Sequence, residues 1–557
     1  MRAHQVRSRP LENFPKKIVL TPLLTPAMAK STLKRPNQGV PLKNPFIKAT
    51  PARELPVNPL LIKAVTAHQK GLTREAESLY RQVLLRDPHD FNALHLLGVT
   101  LSEQGEYGQA IESISRAIEL NAKSHLFFSN LGVAYKGLRL NEEALKAYNS
   151  SLKLNPNYPQ ALSNRGLCYL DLGFLQEALA DLKKATELDP NLAYAHNNLG
   201  LVYKEMHEWR LALASYQNAI SLNPNYAEAH WNKSLLNLLL GNCVEGFRDY
   251  EWRWRNKSSP IHLEHRTYPV PVWLGEQTDF ESTILIYTEQ GLGDTLQFCR
   301  YLKPLSSVFK KIILHCPRSL VALLAHSMPG ITLISLEDEL PGFDCYCPLL
   351  SLPLALQINS TSPGQTSKGA AHFNYLSETY LSVPEQKITD WAQMLKENVS
   401  LHEQSSHLRV GLLNRGNPKH PNDHQRSIEL APLLRGLPER YSYFHLQKDI
   451  SSVETELISR YPNVYSFAAK VDDFLDTAAL CMNLDLVITV DTSVAHLCAA
   501  LGIRTWVLLP YTPDWRWQTE QSTTPWYPSV RLFRQGPLKD WGEVLVSAAN
   551  ALLELAG

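Results

Sequence analysis

The residues best suited to chemistry stand together at 491–496, D-T-S-V-A-H, between two apolar runs. Residues 486–490 form a short β-branched run, and Asp491, Thr492 and Ser493 supply turn and cap chemistry. Residues 494–501 read as a helix that Gly502 ends, and 505–509 as a second buried strand. Such a βαβ unit leaves the first backbone N–H groups of its helix unpaired. The aligned peptide dipoles add partial positive charge there, at the carboxyl edge of a parallel sheet. A phosphate suits that arrangement, with His496 in the first helical turn able to donate to it. A capped helix after a strand is also ordinary α/β punctuation, so the turn alone leaves both readings open.

Two further stretches carry chemistry. After the apolar run 283–288 comes E-Q-G-L-G-D-T-L, in which Gly291 and Gly293 permit a tight turn and Asp294 opens a helix. The third glycine of a dinucleotide fingerprint is missing, and Asp294 stands where an ordinary helix cap would. After the run 409–413 comes N-R-G-N-P-K-H-P-N-D-H-Q-R, where Arg415, Lys419, His420, His424 and Arg426 concentrate positive charge at the end of a strand. A diphosphate needs cations there.

The V-D-T-S-V-A-H run, the following A-L-G and the strand ending at Pro510 together resemble the nucleotide-sugar site of the bacterial heptosyltransferases, glycosyltransferase family 9. The resemblance spans about the last half of the chain. It is closest to bacterial proteins that place tetratricopeptide repeats before such a domain. It implies a GT-B fold of two Rossmann-like domains facing a cleft, with a nucleotide diphosphate held by Asp491, Thr492, Ser493 and His496. It further implies Asp294 as catalytic base and Lys419 as a substrate contact, with Arg415 beside it. No Asp-x-Asp occurs, which suits a metal-independent inverting transfer with no cofactor beyond the nucleotide-sugar donor. The alternative is a non-catalytic scaffold with a degenerate GT-B domain.

The elements that must position these residues begin with repeats. Gly98, Gly132, Gly166 and Gly200 recur 34 residues apart, followed twelve residues later by Ala110, Ala144, Ala178 and Ala212. Small residues let paired helices approach closely, and Pro88, Pro156, Pro190 and Pro224 close four units. The pattern resembles the tetratricopeptide repeat, an α superhelix of six units over 57–258 whose usual function is to hold a protein or peptide partner. Asn130, Asn164, Asn198 and Asn232 recur at the same period, with Leu96 breaking the ladder. By resemblance to other such repeats, including those of the O-GlcNAc transferases, they line a peptide-binding groove. The plainer reading is that each bonds a neighbouring helix.

The domain reading is therefore a basic, Pro-rich disordered tail (1–56), the repeats (57–258), a linker (259–281), an N-terminal Rossmann-like domain (282–400) and a C-terminal nucleotide-sugar-binding domain (401–557). In that last domain the final helix is expected to cross back to the first. The run F-R-D-Y-E-W-R-W at 247–254 reads as a hydrophobic cap on the last repeat. Lys16, Lys17 and the apolar run after them imitate a signal peptide, but the prolines that follow argue against one.

The chain has 557 residues, 44% hydrophobic and 20% charged, with a formal net charge of +1. That balance offers no global attraction to nucleic acid or to an anionic membrane, and no stretch has the length of a spanning helix. Eight cysteines without C-x-x-C pairs read as reduced structural thiols in a cytoplasmic protein, and zinc spacing is absent.

Overall fold

The computed structural model describes residues 58–358, 379–399, 408–418 and 423–555. The tail at 1–56, residues 359–378, Lys419 and His420 lie outside the described residues. The chain divides into two compact units, Met1–Tyr226 and Ala227–Gly557.

The first unit holds five helical hairpins: Pro59–Gln69 with Thr73–Arg86, Phe91–Gln104 with Tyr107–Leu120, His125–Gly137 with Asn141–Leu154, Pro159–Asp171 with Leu175–Leu188, and Ala193–Glu205 with Trp209–Leu222. The periodic glycines explain why the two helices of a hairpin can touch. A Cβ on Gly98, Gly132, Gly166 or Gly200 would lie 2.4, 2.6, 2.8 or 2.5 Å from Ile114, Tyr148, Leu182 or Tyr216. The alanines of the facing helix (Ala110, Ala144, Ala178, Ala212) are fully buried. Contact distance, not backbone freedom, thus sets the period.

The second unit opens with a sixth hairpin, Ala227–Leu239 and Cys243–Tyr250, and a 3-10 turn, Glu251–Trp254. Two all-parallel sheets follow. The first contains β1 (Thr283–Tyr287), β2 (Lys311–Cys316), β3 (Thr332–Ser335) and β4 (Cys345–Pro348), in the order β3-β2-β1-β4. The second contains β5 (Arg409–Leu413), β6 (Ser442–His445), β7 (Val464–Ser466), β8 (Leu486–Val490), β9 (Thr505–Leu509) and β10 (Val530–Arg534), in the order β10-β9-β8-β5-β6-β7. Helices cover these sheets, so β8 and β9 are buried along their whole length, as their continuous apolar runs require. The strand order reverses between β1 and β4, and again between β5 and β8. Ligands of open parallel sheets lie at such reversals, outside the carboxyl ends.

Residues 259–281, read as a linker, pack in part on the first sheet. Val272 bridges to Tyr346 of β4, Trp273 N donates to Tyr346 O at 2.8 Å, and the Trp273 ring sits edge-on to Phe309 at 5.1 Å. The segment thereby covers an edge that would otherwise expose unpaired backbone. The final helix, Trp541–Glu554, expected to cross to the first sheet, packs on the second. Val544, Leu545, Ala548, Ala551 and Leu552 share a core with Leu433, Leu434 and Phe533. Their helical spacing forms an apolar stripe that the second sheet's own core already satisfies.

All eight cysteines are free and buried. No helix among the described residues is long and apolar enough to cross a membrane.

The glycine contacts make a direct prediction. Gly132→Ala should destabilise the protein by about 1–3 kcal/mol through overpacking against Tyr148, although alanine is the better helix former. Gly108→Ala, where a Cβ meets nothing within 4 Å, should instead stabilise by up to about 1 kcal/mol. Urea unfolding of the two variants reads both signs.

Candidate functional site

The turn after β1 runs through Glu289, Gln290 and Gly291 into the short helix Leu292–Phe298. Asp294 stands at its third position. Its Oδ2 accepts from Gly291 N at 2.8 Å, and its Oδ1 accepts from Arg516 Nη2. The cap reading and a charged contact thus coexist on one carboxylate. Gly293 has no side chain where none would fit. A Cβ there would lie 3.0 Å from His496 Cδ2 and 3.4 Å from Ser493 Cα. The turn after β1 and the turn after β8 therefore meet, which no local feature of either stretch dictates.

On the β8 side, Thr492 precedes the helix Ser493–Ala500, and no side chain caps it. The Thr492 hydroxyl is engaged with that of Thr489 at 3.1 Å. His496 is only 4% exposed, stacks on Trp517 with ring centroids 5.1 Å apart, and places Nδ1 3.0 Å from the Tyr527 hydroxyl. Burial, with the Arg516, Arg300 and Arg426 guanidiniums adding to it, holds His496 well below its ordinary range, so the ring is neutral. In the tautomer whose Nδ1 accepts from Tyr527, Nε2 carries the proton. It is then a neutral donor, with no hydrogen-bond partner among the described residues. Asp491 is pushed up to about 6 by burial and by Asp514, against the pull of Arg426, the Trp517 indole and Arg516.

Arginines the sequence left on loops or inside helices complete the cluster. Arg516, 8% exposed, donates from Nε to Gln297 Oε1 and from Nη1 to Asp514 Oδ1, both at 2.8 Å, besides its bond to Asp294. Arg300, 5% exposed, donates to the Trp526 carbonyl at 3.0 Å and the Tyr380 hydroxyl at 2.8 Å, and its buried Nε has no partner among the described residues. No carboxylate pairs with it among the described residues. Arg300 stands in F-C-R-Y, and its only sequence signal is a cation on an otherwise apolar face. Arg415 is committed elsewhere. It forks onto Glu454 at 2.9 and 3.1 Å and onto the Asp449 carbonyl, and although burial opposes it, this holds the Glu454 carboxyl down at about 2. Of the sequence-derived residues, Asp294, Ser493 and His496 come together, Asp491 and Thr492 flank them, and Arg415 is spent one loop away. Among the described residues no group of three or more His, Cys, Asp and Glu side chains is arranged to hold a metal ion.

The asparagines are mostly turned inward. Asn130 Nδ2 lies 2.9 Å from His95 Nε2, and Asn198 Nδ2 donates to Ser163 Oγ at 3.2 Å, each reaching the preceding hairpin. Asn164 is 7% exposed and its amide has no hydrogen-bond partner among the described residues. Asn232 belongs to the second unit.

Family models described as TPR or tetratricopeptide repeats match residues 79–112, 141–173, 168–206 and 193–226. Residues from about 60 to 250 thus carry tetratricopeptide repeats, a protein-interaction module, and the C-terminal region is α/β. Similar solved structures include YrrB, a TPR protein with an unusual peptide-binding site (25% identity, 32% of this chain and 91% of that one, TM-score 0.27). Others are a thermophilic TPR protein of Thermus thermophilus (25%, 32% and 97%, 0.30) and MamA (25%, 30% and 96%, 0.26). No curated protein matches the chain.

The neutral, buried His496 predicts a pH effect. Below its ordinary value of 6.5 the unfolded chain takes up a proton that the folded chain refuses, so stability is lost as pH falls. His496→Asn should remove this residue's share of the slope between pH 6.5 and 5. Urea midpoints across this range, variant against wild type, measure it.

Proposed function

We propose that the second unit is a glycosyltransferase of the GT-B type that binds a nucleotide-diphosphate sugar between the turns after β1 and β8, while the repeats recruit a protein or peptide partner. The observation that carries this reading is the meeting of those two turns, beside which Asp294 binds Arg516 of the loop after β9. Support comes from both being carboxyl-edge turns of parallel sheets, and from the helix Ser493–Ala500, whose capping residue Thr492 makes no side-chain cap hydrogen bond.

In this reading Arg516, the Nε2–H of His496 and the amides around Ser493 hold the diphosphate. Lys419, in the loop after β5, is the further diphosphate contact of this reading. An acceptor hydroxyl attacks the anomeric carbon. The new C–O bond forms as the bond to the diphosphate breaks, the hydroxyl proton passes to Asp294, and the nucleotide leaves with inversion. The donor's phosphates compete with Asp294 for Arg516, which frees a carboxylate oxygen for the proton. The acceptor is a glycan or a side chain of the recruited protein.

A second reading, a scaffold whose α/β region does not catalyse, is favoured by the same contact seen the other way. Both Asp294 oxygens already have partners, as in a purely structural cap. A thermal-shift panel of ADP, GDP, UDP and CMP separates the two. A ligand of the folded crevice at a hundred times its Kd adds about 2.7 kcal/mol, roughly 5–10 °C for a unit of this size. One nucleotide should stand out, and Ser493→Pro and His496→Ala should each shrink its effect. Asp294→Asn, which weakens the competitor for Arg516, should bind the donor at least as tightly and lower transfer by roughly two to four decades. No shift with any nucleotide at millimolar concentration would overturn the donor site.

For the repeats, Asn164 is the amide left available. Asn164→Ala should weaken capture of the partner at nearly unchanged stability. Asn130→Ala should instead cost about 1–3 kcal/mol by leaving buried His95 without its partner. Equal loss of capture in both would make the effect structural.

A further inference from the structure

The segment 247–254 contacts the site in a way that an apolar end-cap has no need of. Arg253 is completely buried, and its guanidinium forks onto Glu289, Nε to Oε2 at 3.0 Å and Nη2 to Oε1 at 2.9 Å. The same side chain reaches Ser351 Oγ and Glu251 Oε1, both at 2.7 Å, and Glu289 Oε1 also accepts from Leu350 N at 3.2 Å. A planar, always-charged group with every donor direction filled orients its carboxylate as a point charge does not.

The next residue of the turn is held by the same segment. Gln290 adopts φ 63°, the left-handed region that a side chain seldom occupies unaided. Its amide Nε2 donates to the Tyr250 hydroxyl at 3.0 Å, and its backbone N donates to Glu264 Oε2 at 2.5 Å. Gly291 comes next, and its N–H binds Asp294. Three consecutive turn residues are thus tied, two of them to residues of one 3-10 turn and its preceding helix.

The partner of Asp294 is backed from the same side. The Phe247 and Tyr250 rings meet Trp515 edge-on, at 5.9 Å and 6.2 Å between centroids, and the Arg516 guanidinium lies over the Trp515 ring at 4.2 Å.

We propose that Tyr250 and Arg253 are positioning residues that set the Glu289–Asp294 turn and the Trp515–Arg516 loop together, so that the last helix pair of the array is a wall of the crevice. The grip itself needs no catalysis, and its consequence for turnover rests on the transferase reading above.

The test uses the full chain. Tyr250→Phe removes one hydroxyl and keeps the ring packing, and Arg253→Lys keeps the charge and loses the fork. Amide hydrogen exchange of residues 290–296 should quicken about tenfold in Tyr250→Phe, the equivalent of one lost hydrogen bond, and further in Arg253→Lys, with β8 unchanged. Wild-type exchange in this turn would overturn the proposal. Should Arg253→Lys fail to fold, the Tyr250→Phe exchange decides alone. With the donor found in the nucleotide panel, Tyr250→Phe should lower kcat and leave the donor KM unchanged. A loss of activity that only matches the loss of folded protein would count against positioning. Failure of every nucleotide to bind would sink the donor reading and leave the exchange result to judge the grip.

Discussion

A guanidinium with 8% of its surface exposed, Arg516, sets the terms for the second unit. Such a charge stays in a low-dielectric place only when carboxylates meet it there. Asp514 does so from its own loop and Asp294 from the other sheet, 222 residues away in sequence. The requirement holds the turn after β1 against the loop after β9, and Gly293 separately removes the side chain that would part it from the turn after β8. A pair of this kind adds little net stability, because desolvation offsets most of its attraction. It specifies a geometry, since removing either partner strands the other.

The surrounding electrostatics follow from the same dryness. His496 stays neutral because three guanidiniums and burial oppose its proton. Among the described residues Arg300 has aromatic rings, a carbonyl and a hydroxyl but no carboxylate. Asp491 is held upward by burial and by Asp514.

The repeat region obeys a steric rule instead. Small residues at one level of each hairpin let a larger residue of the facing helix fill the space, and this recurs without reference to anything beyond the hairpin. The sixth hairpin departs from it. Gly246 and Ser234 keep the helices close, with Ser234 Oγ donating to the Gly246 carbonyl at 3.0 Å. Its far end, however, is committed to Glu289, Gln290 and Trp515, and the chain accordingly divides before Ala227.

What the sequence determined alone is what near neighbours decide. The 34-residue period, the strands β1, β5, β8 and β9, the turns after them and the stop at Gly502 all rest on contacts within one hairpin or on backbone preferences within one turn, and all are readable by spacing. The reach of the side chains was settled only by tertiary structure. Arg415 reads as a phosphate ligand until Glu454 takes it, and for Asn130 and Asn198 the sequence leaves groove and neighbouring helix both open, with His95 and Ser163 of the preceding hairpins as their partners. The segment 247–254 reads as an apolar lid until Arg253 is seen buried on Glu289. In each case the partner is distant in sequence, and burial, which no local pattern encodes, makes the pairing obligatory.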